Sequence, residues 1–153
     1  MNKIILYFCF FLLFGCAGFE PLFSSKNISY YIIEIENINK NDVTKKISKK
    51  LSVYKKNTNS EKGYLLKLSA DTRNIIVSKD AKGQVSSYKM IVDVNLEVLS
   101  NNSTLPISVI KLTKDFIYQD QKNKFEQKQY KKDILENLID KISQEIVIKL
   151  QSL

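Results

Sequence analysis

Tyr88-Lys89-Met90-Ile91-Val92-Asp93-Val94-Asn95-Leu96-Glu97-Val98 is the stretch on which the fold turns. Tyr88, Met90, Val92, Val94, Leu96 and Val98 alternate with Lys89, Ile91, Asp93, Asn95 and Glu97, and a period of two in β-branched and aromatic residues predicts a strand with one buried and one mostly wet face. Working toward the N-terminus, Ser78 to Gln84, with Gly83, has turn chemistry. Before it, Tyr64 to Val77 repeats the alternation, with Tyr64, Leu66, Leu68 and Ala70 opposed to Lys67, Ser69, Asp71 and Arg73. Toward the C-terminus, Asn101 to Leu105 turns again, Pro106 stands where a strand can begin, and Ile107 to Tyr118 supplies the next one. Three strands joined by short turns predict an antiparallel meander.

Further out the period changes. From Phe125 to Leu150, Tyr130, Ile134, Leu138, Ile142, Ile146 and Leu150 recur in steps of four, and Leu135, Ile139 and Val147 widen the stripe. Lys131, Asp133, Glu136, Lys141 and Glu145 occupy the other side, so this is an amphipathic helix with too much charge to span a bilayer. On the other flank, Tyr30 to Ile38 alternates Tyr31, Ile33 and Ile35 with Tyr30, Ile32, Glu34 and Glu36, a strand. Asn41 and Asp42 then offer helix-capping chemistry, and Val43, Ile47, Leu51 and Tyr54 share one helical face among Lys45, Lys46, Lys49 and Lys50. That stripe reads as core in preference to a partner groove. The expected fold class is α+β: a two-layer sandwich in the order β-α-β-β-β-α, with both helices packed on one face of a four-stranded, mostly antiparallel sheet.

The chain has 153 residues, 44% of them hydrophobic, which is enough for one domain with its own core. Its formal charge of +8 is spread over every segment. A charge excess of this kind suits nucleic acid or an anionic membrane when it is clustered. Dispersed as it is here, generic surface solvation is the stronger reading, and no nucleic-acid partner is expected.

The N-terminus carries a different signal. Lys3 is followed by an uninterrupted apolar run from Ile4 to Phe14, the charged and apolar regions of an export signal. Even extended to Phe19 this stretch falls short of the ~20 residues of a membrane-spanning helix. Leu13-Phe14-Gly15-Cys16 then looks like a lipobox, in which Gly15 leaves room for cleavage before a cysteine whose thiol takes a diacylglyceryl group. The alternative for Cys16 is an ordinary buried cysteine at the end of an apolar helix. Cys9 lies in the segment that cleavage between Gly15 and Cys16 removes, so Cys16 would be the only cysteine left and no intramolecular disulfide could form. The expected organisation is a signal peptide over 1–15, a lipidated tether over 16–28 and a folded domain over 29–153, with diacylglycerol and N-acyl lipid on Cys16 and no other cofactor. Ala17, in place of the aspartate that retains lipoprotein at the inner membrane, implies the outer membrane, facing the periplasm.

Directly after the anchor stands Gly18-Phe19-Glu20-Pro21-Leu22-Phe23. It resembles the Cys-Gly-Phe-x-Pro-Leu-Tyr start of mature LptE, the lipopolysaccharide-assembly lipoprotein family, with Ala17 inserted and Phe23 in the tyrosine position. The strand and helix order is similar to the LptE fold across nearly the whole mature chain, and Thr72-Arg73 and Ser87-Tyr88 also sit where such proteins tend to carry these pairs. The resemblance implies a non-catalytic plug and assembly partner of the outer-membrane β-barrel LptD in lipopolysaccharide transport. It further implies lipopolysaccharide as a ligand, for which Arg73, Lys79 and Lys82, around the turn between the second and third strands, are candidate contacts beside the plainer reading of surface cations.

Elimination agrees with a non-enzyme and with the absence of a metal site. There is no histidine, hence no general base or metal ligand of the commonest kind. A single lipid-committed cysteine provides neither thiol catalysis nor a zinc cluster. Gly63 and Gly83 are the only glycines beyond the N-terminal region, so a glycine-rich phosphate loop is missing too. Glu34 and Glu36 read as solvated strand neighbours. The competing function is a generic periplasm-facing outer-membrane lipoprotein that carries lipid or scaffolds another envelope complex, and it calls for an apolar cavity that such two-sided elements do not suggest.

Overall fold

The structure is a computed structural model and describes residues 28–55, 62–101 and 103–153. Along the chain lie β1 (Tyr30–Asn37), α1 (Asp42–Leu51), a 3-10 turn (Ser52–Tyr54), β2 (Lys62–Lys79), β3 (Val85–Ser100), β4 (Pro106–Gln119) and α2 (Lys124–Gln151). The strands form one sheet in sequence order. β2, β3 and β4 make the antiparallel meander, whereas β1 runs parallel to β2 because the crossover through α1 brings the chain back in its original direction. The α+β class and the β-α-β-β-β-α order are as expected, with a mixed sheet. The signal peptide, the cleavage position and the tether up to residue 27 lie outside the described residues.

Alternation builds the inner layer. Leu66, Leu68, Val92, Val94, Leu96, Val98, Ile110 and Leu112 point to one side and are buried, together with Val43, Ile47 and Leu51 of α1 and Ile134, Leu138, Ile139, Ile142, Ile146, Val147 and Leu150 of α2. Each fully buried aliphatic side chain contributes about 1.5–3 kcal/mol, so this helix-on-sheet interface is the main source of stability. Both helices begin with an asparagine cap: Asn41 Oδ1 accepts the Thr44 N–H, and Asn123 Oδ1 accepts those of Phe125 and Glu126. Lys46–Glu136 and Lys50–Asp140 pairs bridge the two helices. Being partly exposed, each adds at most about 1 kcal/mol.

Strand β1 departs from simple alternation. Its register with β2 shifts between Ile32 and Glu34, a bulge that changes the phase of the pleat. Tyr30 and Ile32 are therefore buried, Ile35 packs against the same core, and Glu34 and Glu36 share the outer face. The outer side of this end is filled by Tyr31 and Ile33 lying over Gly63, where a Cβ would come within 2.7 Å of the Tyr31 ring. Tyr130, expected in the apolar stripe of α2, is 37% exposed: it meets the sheet only edge-on, through Tyr118, and the buried stripe begins at Ile134.

β1 ends halfway along β2, and side chains replace it there. The Asn39 and Asn41 Nδ2 groups donate to the Ala70 carbonyl at 2.8 and 2.6 Å, while Asn39 Oδ1 accepts the Ala70 N–H. The buried Thr44 hydroxyl lies 3.1 Å from both polar atoms of Ala70. A typical intramolecular hydrogen bond contributes about 0.5–1.5 kcal/mol net, and the Ala70 groups would keep their asparagine partners. Thr44→Val is thus expected to destabilise the protein by that amount, read as a lowered midpoint in urea, although it preserves side-chain shape.

Candidate functional site

Beyond Ala70 the hairpin of β2 and β3 projects past α1, and every β2 residue from Asp71 to Lys79 is exposed. Its turn is closed by Asp80, whose carboxylate accepts the Lys82 and Gln84 N–H groups, and by Gly83 at φ 78°, a left-handed position suited to glycine. Lys79 ends β2 and Lys82 sits in the turn, and neither has an ion-pair partner among the described residues. These two cations therefore share the tip.

Arg73 is placed apart from them. Six residues along a strand correspond to about 20 Å, and Arg73 is on the outer face with its Nε donating to Asp93 Oδ2 at 3.1 Å. Asp93 also accepts the Thr113 hydroxyl at 2.7 Å. That hydrogen bond first, and Arg73 second, hold the Asp93 carboxyl below its ordinary pKa. Arg73 thus belongs to a small polar network in the middle of the sheet, while Lys79 and Lys82 form the cationic end.

The hairpin holds features that the sequence reading did not single out. Ile75, Ile76 and Val77 are 42–54% exposed immediately before the turn, and across the sheet Phe116 and Ile117 are similarly open. On the inner face, Tyr88 stacks on Tyr118 at 5.6 Å and Tyr130 meets Tyr118 edge-on at 6.2 Å. Lys131 lies 5.2 and 5.7 Å from the centroids of the Tyr88 and Tyr118 rings, within cation–π range. Tyr118 donates to Asn74 Oδ1 at 3.1 Å, and its hydroxyl pKa is raised, first by burial and then by Tyr88. Tyr88 was visible as the first member of an alternating run and Tyr118 as the end of the fourth strand, but only their cross-strand pairing makes them an aromatic cluster. The site is therefore a two-chemistry surface, with apolar and aromatic flanks below a cationic tip.

Elsewhere five lysines are paired. Lys46, Lys50, Lys67, Lys89 and Lys114 each reach a carboxylate, which accords with a solvated surface in place of a continuous basic patch. Among the described residues no group of acidic or cysteine side chains has metal-binding geometry, and no helix is long and apolar enough to cross a membrane.

Comparison with known proteins agrees with this architecture. The chain aligns structurally with the rare lipoprotein B of Shewanella oneidensis at a TM-score of 0.60 and 15% identity, covering 80% of this chain and 94% of that one. A minor lipoprotein of Acinetobacter baumannii gives 0.59 and 17% over 82% and 92%, and a putative lipoprotein of Caulobacter crescentus gives 0.59 and 12% over 77% and 88%. At these identities the likeness shows the fold. A sequence comparison with curated proteins found no significant match. The model of the LptE family, described as lipopolysaccharide assembly, matches residues 30–150, from the start of β1 to the last turn of α2. With the family's sequence pattern running through every element of the sheet and both helices, this chain belongs to the LptE family of lipopolysaccharide-assembly proteins.

Proposed function

We propose that the protein is an outer-membrane lipoprotein, anchored through lipid on Cys16 and facing the periplasm, that serves without catalysis as plug and assembly partner of the β-barrel LptD in lipopolysaccharide transport. The observation that carries this reading is the family match over 30–150, which coincides with the whole folded domain. The physical form supports it. A plug needs a body that does not deform and an exterior that tolerates a wet lumen, and this sheet is backed along one face by two helices while its other face carries Lys67, Asp71, Arg73, Asp93 and Lys111. A lipid-carrying relative would need a cavity for acyl chains, whereas here the inner face of the sheet is filled by α1 and α2. The deciding experiment is affinity purification of the tagged full chain from native membranes with mass spectrometry. Recovery of a large outer-membrane barrel in stoichiometric amount supports the role; recovery of a different envelope complex assigns the chain to that complex.

Lipopolysaccharide presents phosphate groups above acyl chains. Lys79 and Lys82, with Ile75, Ile76 and Val77 below them, offer charge-assisted contacts and apolar surface in the same order. Arg73, engaged by Asp93, makes a secondary contact in this proposal. The double variant Lys79→Ala/Lys82→Ala is expected to weaken binding of purified lipopolysaccharide about tenfold, or about 1.4 kcal/mol, with Arg73→Ala having a smaller effect. Equal losses in the two variants would instead indicate nonspecific attraction to overall charge.

A further inference from the structure

We infer that the lower end of the sheet's outer face, around Leu65 and Leu99, is the seat of the chain's own N-terminal segment, Phe19-Glu20-Pro21-Leu22-Phe23. The outer face is polar through its middle, from Lys67 to Arg73 on β2, but apolar at the end where β1 and β2 begin and β3 finishes. There Tyr31 and Ile33 lie over Gly63, Leu65 stands opposite Leu99, and Val109 is 51% exposed nearby on β4. The helices do not cover these residues, since α1 and α2 pack on the other face. Glu34, Glu36, Leu65, Lys67 and Leu99 shape a concavity of about 160 Å³ here, with buried Leu99 as its floor. A space of that size holds an aromatic ring.

The identity of the occupant follows from where the described chain begins. Ile28 lies two residues before β1, at this same end, and is buried in the core. Phe23 is five residues earlier, a reach of about 17 Å, which carries it around the end of β1 to Leu65, one strand in. Between them, Ser24-Ser25-Lys26-Asn27 has the composition of a turn. With Pro21 favouring an extended backbone before it, Phe19, Pro21 and Phe23 fall on one side and Glu20 on the other. Laid across strands about 4.8 Å apart, the segment sets Phe23 over Leu65, Pro21 over Leu99 and Phe19 beside Val109. The charges agree: Glu36 is held by Lys67 at 4.0 Å, but Glu34 at the rim of the seat has no ion-pair partner among the described residues, and Lys26 precedes Ile28 by two positions. The groove lined by Val53, Tyr54, Ser143 and Val147 also lies near Tyr30, but its carboxylate, Asp140, is taken by Lys50. Seating turns a leash into a strut. The twelve residues 16–27 span about 40 Å when extended, whereas a seated segment leaves only Cys16, Ala17 and Gly18 beyond the sheet and fixes the anchored end at its lower edge. The seat itself needs neither the lipid nor the barrel, so it stands or falls apart from both.

The test is photo-crosslinking of the full chain with p-benzoylphenylalanine in place of Phe23, irradiated in native membranes and after purification in detergent, with linked peptides identified by mass spectrometry. A link within the chain, from position 23 to the peptides that contain Leu65 or Leu99, is expected in both. Leu65→Glu puts a charge into the seat and is expected to abolish that link. Because Leu65 is half-buried, an exposed site provides the second variant: Glu34→Lys is expected to lower the yield about threefold, the scale of an exposed ion pair, and Lys26→Glu/Glu34→Lys to restore it. Absence of any link within the chain, a link to Val53 or Gln144 in the helical groove, or a link only to lipid or to another protein would each overturn the inference. So would an unchanged yield in Leu65→Glu, or a charge swap that restores nothing.

Discussion

Cys16→Ala is expected to move the chain from the membrane fraction to the soluble fraction and to abolish recovery of a barrel partner from native membranes. Alanine has no thiol and cannot form the thioether, so neither the diacylglyceryl group nor the later N-acyl chain can be added. Each buried lipid CH₂ contributes about 0.8 kcal/mol, and stable anchoring takes more than one acyl chain, so removing all of them leaves no comparable membrane affinity. Among the described residues no helix can substitute as a span. The apolar run Ile4–Phe14 is the one feature that complicates the result, because an uncleaved signal would itself hold the chain at the membrane. Mass spectrometry of the N-terminus separates the cases. A soluble or uncleaved, unacylated variant without the barrel supports anchoring at Cys16, whereas a cleaved Cys16→Ala chain that remains with the membrane and the barrel means that Cys16 is not the anchor. The folded domain should be unaffected in either case, since its described residues begin at Ile28 and its core is assembled from β1 onward.

What the sequence could and could not reveal follows from the range of the interactions involved. Period-two runs in β2, β3 and β4 and the four-step stripe of α2 are local patterns enforced by one large apolar partner layer, so their faces were legible: Leu66, Leu68, Val94, Leu96, Leu138, Ile139 and Ile142 lie where alternation or helical spacing puts them. In β1 the same logic put Tyr31, Ile33 and Ile35 on one face, whereas Tyr31 and Ile33 are outside and Ile35 is inside, because a bulge depends on pairing with β2 and leaves no mark in the strand's own residues. The parallel direction of β1 was implicit in the intervening helix, yet a short first strand says nothing of where on β2 it stops. That boundary is set by Asn39, Asn41 and Thr44 grasping Ala70, contacts between residues about thirty positions apart. The candidate site shows the same division. Lys79 and Lys82 lie together at the turn that the sequence marks, while Arg73 is separated from them by strand length and by Asp93, a cross-strand neighbour that only register could supply.

Leu96→Ala is expected to cost about 2–5 kcal/mol, the loss associated with a buried leucine whose cavity the surroundings fill only in part. Leu96 is fully buried at the centre of the inner face, with Leu68 and Ile110 as its cross-strand neighbours. A side chain flanked on both sides by a sheet and covered by the helical layer has little that can collapse into the space it leaves, which favours the upper part of that range. Against a total stability of about 5–15 kcal/mol for a domain, the change is large enough to be read directly as a lower urea midpoint. The slope of the transition should stay as in the unmodified protein, since the surface exposed on unfolding is nearly the same. Asn95→Ala, one residue away on the exposed outer face, is the matched control and should fall within about 0.5 kcal/mol. If the two substitutions cost the same, the stability of the domain does not reside in the packing of α1 and α2 on the sheet, and the plug would be held rigid by its partner and not by its own core. If Leu96→Ala alone is costly, the rigidity is intrinsic, and a chain released from the membrane by Cys16→Ala should retain the fold that a barrel would recognise.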